Sequence, residues 1–111
     1  MRLRPFDLAE PETLAEALDA MARRDGEARL IAGGTALVPM LRLGLVKPDR
    51  LISLHRLPAL AEIRTDNGAL LLGAMATLAD IQRARAVREG WPLLAEAVHR
   101  VASPAIRATG T

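Results

Sequence analysis

Apolar residues recur at Leu14, Ala17, Leu18 and Met21, the i, i+3, i+4, i+7 spacing that predicts a helix with one buried face. In front of that stripe stands Thr13-Leu-Ala-Glu16, a capping-box pattern in which Thr13 accepts from the Glu16 backbone and the Glu16 side chain reaches back. Asp25-Gly26 predicts the stop, since glycine adopts left-handed backbone freely. Before the helix, Phe6 to Ala9 predicts a short strand. Residues 28–31, Ala-Arg-Leu-Ile, are followed at once by glycines, which predicts a buried strand feeding a loop. Residues 37–43 predict a short helix closed by Gly44. It must begin close to Thr35 or Ala36 so that Pro39 falls in its first turn. Pro48 ends the next connection, and residues 50–53 predict another strand.

In the second half the period changes. Residues 62–65 and 69–72 flank Asp66-Asn67-Gly68, and Asn-Gly is favoured where a hairpin turn needs two positive φ angles. Thr77-Leu-Ala-Asp80 predicts the start of a helix running through Ile81 towards Arg85. Pro92 suits the opening of a last helix, along which Leu94, Ala97, Val98 and Val101 repeat the helical spacing, and Ser103-Pro104 predicts its stop. Strands alternating with helices, plus one hairpin, predict an α+β or mixed α/β domain. Residues 54–61, with Pro58, are the candidate joint between two subdomains.

Composition narrows the picture. A chain of 111 residues is one domain at most, and half of it is hydrophobic, enough to form a core. Aromatics make up only 2%, so that core is aliphatic. The pI of 10.4 suggests nucleic acid, but the net charge is only +2. The 14 Arg and single Lys are scattered, each generally near an acid, and stacking aromatics are almost absent. Nucleic-acid binding is therefore not expected. With no Cys there is no disulfide, no thiolate metal site and no cysteine-ligated iron–sulfur cluster on this chain. No apolar run reaches the roughly 20 residues of a membrane-spanning helix, and Met1 to Pro5 lacks a leader-like apolar stretch. The expectation is a soluble cytoplasmic protein.

The segment with the strongest chemical content is Leu30-Ile-Ala-Gly-Gly-Thr35. A strand running into two glycines and a hydroxyl residue, with a helix following, lets consecutive N–H groups converge on an anion. The helix N-terminus adds free donors, and the Thr35 hydroxyl one more. By local pattern alone, a phosphate loop and an ordinary strand-to-helix turn both stay open. The loop is neither a G-x-G-x-x-G fingerprint nor a Walker A loop. His55 and His99 lack metal-spaced partners and read as surface or packing residues, and Trp91 reads as a packing anchor. Arg107 could meet a phosphate or a structural salt bridge. No catalytic triad or carboxylate pair stands out.

Longer stretches carry a resemblance. Ile31-Ala-Gly-Gly-Thr-Ala-Leu-Val-Pro-Met-Leu-Arg-Leu-Gly-Leu45, with Lys47-Pro48 and Leu51-Ile52, is similar to the first signature of the molybdenum hydroxylase flavin subunit. Leu72-Gly-Ala74 followed by Thr77-Leu-Ala-Asp80 is similar to the hairpin end and next helix of that family. Val101-Ala-Ser-Pro-Ala-Ile-Arg107 with Gly110-Thr111 resembles the approach to its second flavin loop. The four signatures occur in family order over nearly the whole chain. The chain thus resembles the N-terminal portion of the FAD-binding medium subunit of xanthine dehydrogenase and aerobic carbon monoxide dehydrogenase.

The resemblance implies the α+β FAD-binding fold of the xanthine dehydrogenase and vanillyl-alcohol oxidase superfamily. Residues 1–55 would be the first FAD-binding subdomain and 56–111 the start of the second. It implies a first diphosphate loop of Ala32, Gly33, Gly34, Thr35 and Ala36. Ala74 would lie near the flavin ring, and Gly110 and Thr111 would open the second loop. The implied role is electron transfer through FAD. Electrons would come from iron–sulfur clusters on a small partner subunit, fed by a molybdenum site on a large one, and pass to NAD, a quinone or oxygen. No catalytic acid, base or nucleophile is assigned.

Three departures stand out. Ala36 replaces the commoner Asp or Ser, removing a side-chain contact, and Ala108 replaces an Asn, which is expected to loosen the turn. The usual Ile-Gly-Gly-Asn does not follow Thr111. That makes a fragment, inactive by itself, the expectation. The alternatives are a piece that folds or associates without flavin, or another FAD-dependent reductase of the superfamily, such as a cell-wall precursor reductase. The Ser-Pro-Ala-Ile-Arg segment favours the hydroxylase branch over the last.

Overall fold

The structure, a computed structural model, describes residues 3–111; Met1 and Arg2, within the Met1 to Pro5 stretch, lie outside the described residues. The chain divides into two compact units, one ending at Leu57 and one spanning Pro58–Thr111. Among the described residues no helix is long and apolar enough to cross a membrane.

The first unit runs β1 (Asp7–Ala9), α1 (Leu14–Ala22), β2 (Ala28–Ile31), α2 (Leu37–Arg42) and β3 (Arg50–Ser53). The strands form a parallel sheet in the order β1-β3-β2, with Asp7 and Ala28 both opposite Arg50, and Ile31 opposite Ser53. A central parallel strand is covered on both faces, and all four residues of β3 are buried. Arg50 is tolerated there because its guanidinium reaches the Ala20 carbonyl at 3.3 Å and the Asp25 carboxylate at 3.5 Å. The Arg23 guanidinium beside Asp25, helped by Arg50, holds that carboxyl below its ordinary value.

Four expectations need correction here. The stripe on α1 is not a buried face: Ala17 is buried, but Leu14, Leu18 and Met21 are 56%, 61% and 40% exposed. Three short strands give one helix little apolar surface to cover. β2 is an edge strand rather than a buried one, with Arg29 and Leu30 exposed. At the cap, Thr13 accepts from the Glu16 N–H at 3.1 Å, but Glu16 reaches the Glu12 N–H at 3.0 Å, one residue earlier than a capping box requires. The helix also ends at Ala22, before Asp25-Gly26. Gly26, at φ +112°, is needed instead because a Cβ would lie 2.9 Å from the Asp49 carboxylate, which accepts from the Glu27 N–H.

The second unit begins with a 3₁₀ turn at Pro58–Ala61 and continues with β4 (Ile63–Asp66), β5 (Ala69–Leu72), α3 (Leu78–Arg83), α4 (Arg85–Gly90), α5 (Pro92–His99) and α6 (Pro104–Arg107). β4 and β5 pair antiparallel across Asn67 and Gly68, both at positive φ as their sequence predicts. Thr77 caps α3, accepting from the Asp80 N–H at 3.1 Å. Ala76, Ile81, Val87 and Val98 make the core, with Trp91 and Leu94 packed against it.

Two helices were not expected. α4 offers only one buried residue, Val87, in a polar run without period. Ser103-Pro104, predicted as a stop, is a start: Ser103 accepts from the Ile106 N–H at 3.3 Å and Pro104 is the first residue of α6. α5 ends at His99, leaving Val101 outside it and Ala97 exposed.

Candidate functional site

The glycine pair lies at the C-terminal edge of the parallel sheet, where open α/β sheets characteristically receive ligands. β2 stays in register up to Ile31, whose carbonyl accepts from the Leu54 N–H at 3.1 Å, and the backbone then leaves the sheet at Ala32. Gly34 turns the chain at φ +76°, and its carbonyl accepts from the Val38 N–H at 2.9 Å, tying the loop to α2. A Cβ on Gly34 would come within 3.3 Å of a Val38 methyl group and 3.5 Å of an Ile31 methyl group, so backbone and space both favour glycine.

Between these ties the loop is open. Among the described residues, the N–H groups of Ala32, Gly33, Gly34, Thr35 and Ala36 donate no backbone hydrogen bond outside the helices and strands. Ala36 precedes α2 in helical conformation and offers no side-chain cap. Ala32, Gly33 and Gly34 are half-buried, where N–H groups are normally paired, and Thr35 and Ala36 are exposed, so the run of open donors can meet an anion such as a diphosphate. The loop carries no ionisable side chain of its own.

In the second unit, Gly73 follows β5 and is held by its own N–H to the Glu62 carbonyl, 2.8 Å. A Cβ there would collide with the Leu60 carbonyl, so this glycine exists for close approach of two backbones. The sequence marks it as a hairpin end, and a glycine directly after a strand is the local signal of this close approach. Ala74 sits exposed in the turn closed by the Ala76 N–H on the Gly73 carbonyl, 3.0 Å. Gly110 is buried, and its carbonyl accepts from the Leu78 N–H at 2.8 Å, which satisfies a free donor at the start of α3. The structure thus brings Gly110 beside the start of α3, a few residues along the chain from Ala74, while Thr111 remains exposed. The turn before Gly110 closes without an Asn at Ala108: Ala108 donates to Pro104, and Thr109 and Gly110 donate to Ile106. Arg107 forms no salt bridge among the described residues; buried, it donates to the Val101 carbonyl at 2.7 Å.

The histidines have local partners. His55 Nδ1 lies 2.6 Å from the Ser53 hydroxyl, and His99 Nδ1 lies 2.7 Å from the Gln82 amide.

Comparison with known proteins decides the family. Residues 4–111 match the FAD binding domain in molybdopterin dehydrogenase. The chain belongs to this family. The family cofactor is therefore FAD, and the molybdopterin dehydrogenase branch, rather than a cell-wall reductase, is the right one. Over 106 residues the chain is 35% identical to the carbon monoxide dehydrogenase medium chain of Hydrogenophaga pseudoflava, covering 96% of this chain and 37% of that relative. It is 29% identical over its full length to the caffeine dehydrogenase subunit beta of a Pseudomonas strain, covering 38% of it. The quinoline 2-oxidoreductase structure from Pseudomonas putida 86 superposes with a TM-score of 0.95 at 35% identity, over 100% of this chain and 39% of that one. The chain thus spans little more than a third of these relatives, and it has the α+β fold of their FAD-binding domain.

Proposed function

We propose that this chain is the FAD-diphosphate-binding part of a flavin subunit in a cytoplasmic molybdenum hydroxylase, a component that conveys electrons between metal centres on partner subunits and an external acceptor. The observation that carries this reading is the Ala32–Ala36 loop: five consecutive N–H groups without a backbone acceptor among the described residues, around a glycine whose positive φ and close neighbours disfavour a side chain. Ala32, Gly33, Gly34, Thr35 and Ala36 would hold the diphosphate, the Thr35 hydroxyl adding one donor. Ala74 would border the flavin ring, and Gly110 and Thr111 would open the second phosphate loop, within subdomains dividing near residue 55. FAD, when bound, supplies the redox chemistry, and the protein binds and orients it. An iron–sulfur small subunit and a molybdenum large subunit are the partners this role requires.

The test is flavin content. Gly34→Val in the intact subunit places a β-branched side chain where φ is +76°. The 450 nm flavin absorbance of the purified subunit should fall to background; normal flavin content would sink the assignment of the loop. The 111 residues alone, titrated with FAD, should stay colourless, because they hold only the beginning of the second loop.

A further inference from the structure

Between the segment preceding β1 and the connection following α2, the first unit has a cleft of about 140 Å³. Its apolar walls are Leu3, Phe6, Leu41, Leu43, Val46 and Pro48. That volume is on the scale of the roughly 150 Å³ apolar cavity known to hold a benzene ring, room for one aromatic or branched side chain. Beside it, Leu43 and Leu45 are 65% and 67% exposed, the largest exposures of any leucines in the unit. Arg4, Arg42 and Lys47 also line the cleft.

The charges distinguish this cleft from ordinary exposed apolar surface. Elsewhere among the described residues of the unit all cations but Arg24 are neutralised at home: Arg23 and Arg50 by Asp25, Arg29 by Glu27, Arg56 by Glu10 and Glu12. At the cleft, Arg4 is paired with Asp49, but Arg42 and Lys47 make no ion pair or side-chain hydrogen bond among the described residues; Arg24 is the other such cation in the unit. An apolar centre bordered by charges is the anatomy of a contact between two proteins, whereas a region destined for a chain's own core excludes unpaired charge.

We propose that this cleft docks an acidic segment of another protein chain, which inserts one large apolar side chain beside Phe6 and Leu43 while its carboxylates meet Arg42 and Lys47. The proposal rests on reading the chain as part of one subunit of a complex. Its test replaces Leu43 with the photo-crosslinker p-benzoylphenylalanine in the intact subunit, purified together with its associated chains. Illumination and mass spectrometry should map one cross-link, to an acidic stretch of a different chain. The yield should drop at least fivefold when Arg42→Glu and Lys47→Glu are added, with circular dichroism and flavin content unchanged. A link to the subunit's own chain, a link to a second copy, no link in an assembled complex, or a yield indifferent to the charge reversals would each overturn it. A colourless but cross-linked complex would count against the cofactor reading alone, and the absence of any co-purifying chain would overturn both.

Discussion

In the first unit the most deeply buried side chains sit on one strand, Leu51 and Ile52 of β3, whereas in the second they come from a turn and three helices, as Ala76, Ile81, Val87 and Val98. A central parallel strand is enclosed from both faces, so adjacent residues on it can both be buried. Short helices each present one side chain and must share a centre, which is why none of α3, α4 and α5 buries more than one residue fully. The same contrast explains α1. Its nine residues have the clearest apolar stripe in the chain, yet only Ala17 is buried, because a narrow three-stranded sheet offers one helix little surface. Amphipathic period marks a face that can be buried; only a partner buries it.

The largest effect should come from Gly73→Val, whose side chain would collide with the Leu60 backbone; a loss of more than about 3 kcal/mol is expected from urea unfolding. An unchanged midpoint would mean that the hairpin and the preceding 3₁₀ turn are not locked together. Next, Ile52→Ala should cost about 3 kcal/mol and Val87→Ala about 2 kcal/mol, both residues being 0% exposed. Equal and small costs would erase the distinction between a strand core and a helical one. Thr77→Ala removes the oxygen that caps α3 and should cost about 1 kcal/mol. At the small end, Leu18→Ser should change the stability of the 111-residue chain by less than about 0.5 kcal/mol; a loss comparable to Ile52→Ala would show the α1 stripe to be buried after all.

Much of the architecture was readable beforehand, for local reasons. The bounds of β2, β3 and β5 follow from short apolar runs beside glycine, proline or Asn-Gly, and each of these punctuators acts within two or three residues. The loop at Ala32–Ala36 was legible as a candidate because its glycine pair interrupts a strand period before a helical one begins. What failed was non-local. α4 has no period to detect, since one buried valine in six residues is enough when α3 and α5 close around it. Ser103-Pro104 reads equally as an end or a beginning, and a bend at Ala102, φ +47°, together with the Arg107 bond to Val101, makes it a beginning.

Near-neighbour preferences therefore set the order of the strands and of α1, α2, α3 and α5, the hairpin turn, the helix caps at Thr13 and Thr77, and the position of the glycine loop, because each depends on backbone preferences and hydrogen bonds among residues close in the chain. Tertiary structure alone decided which apolar faces are covered, why Gly26 and Gly73 must be glycine, and that the Gly110 carbonyl meets the start of α3. Those outcomes depend on which distant backbone arrives within van der Waals reach, and no local pattern of residues encodes that distance.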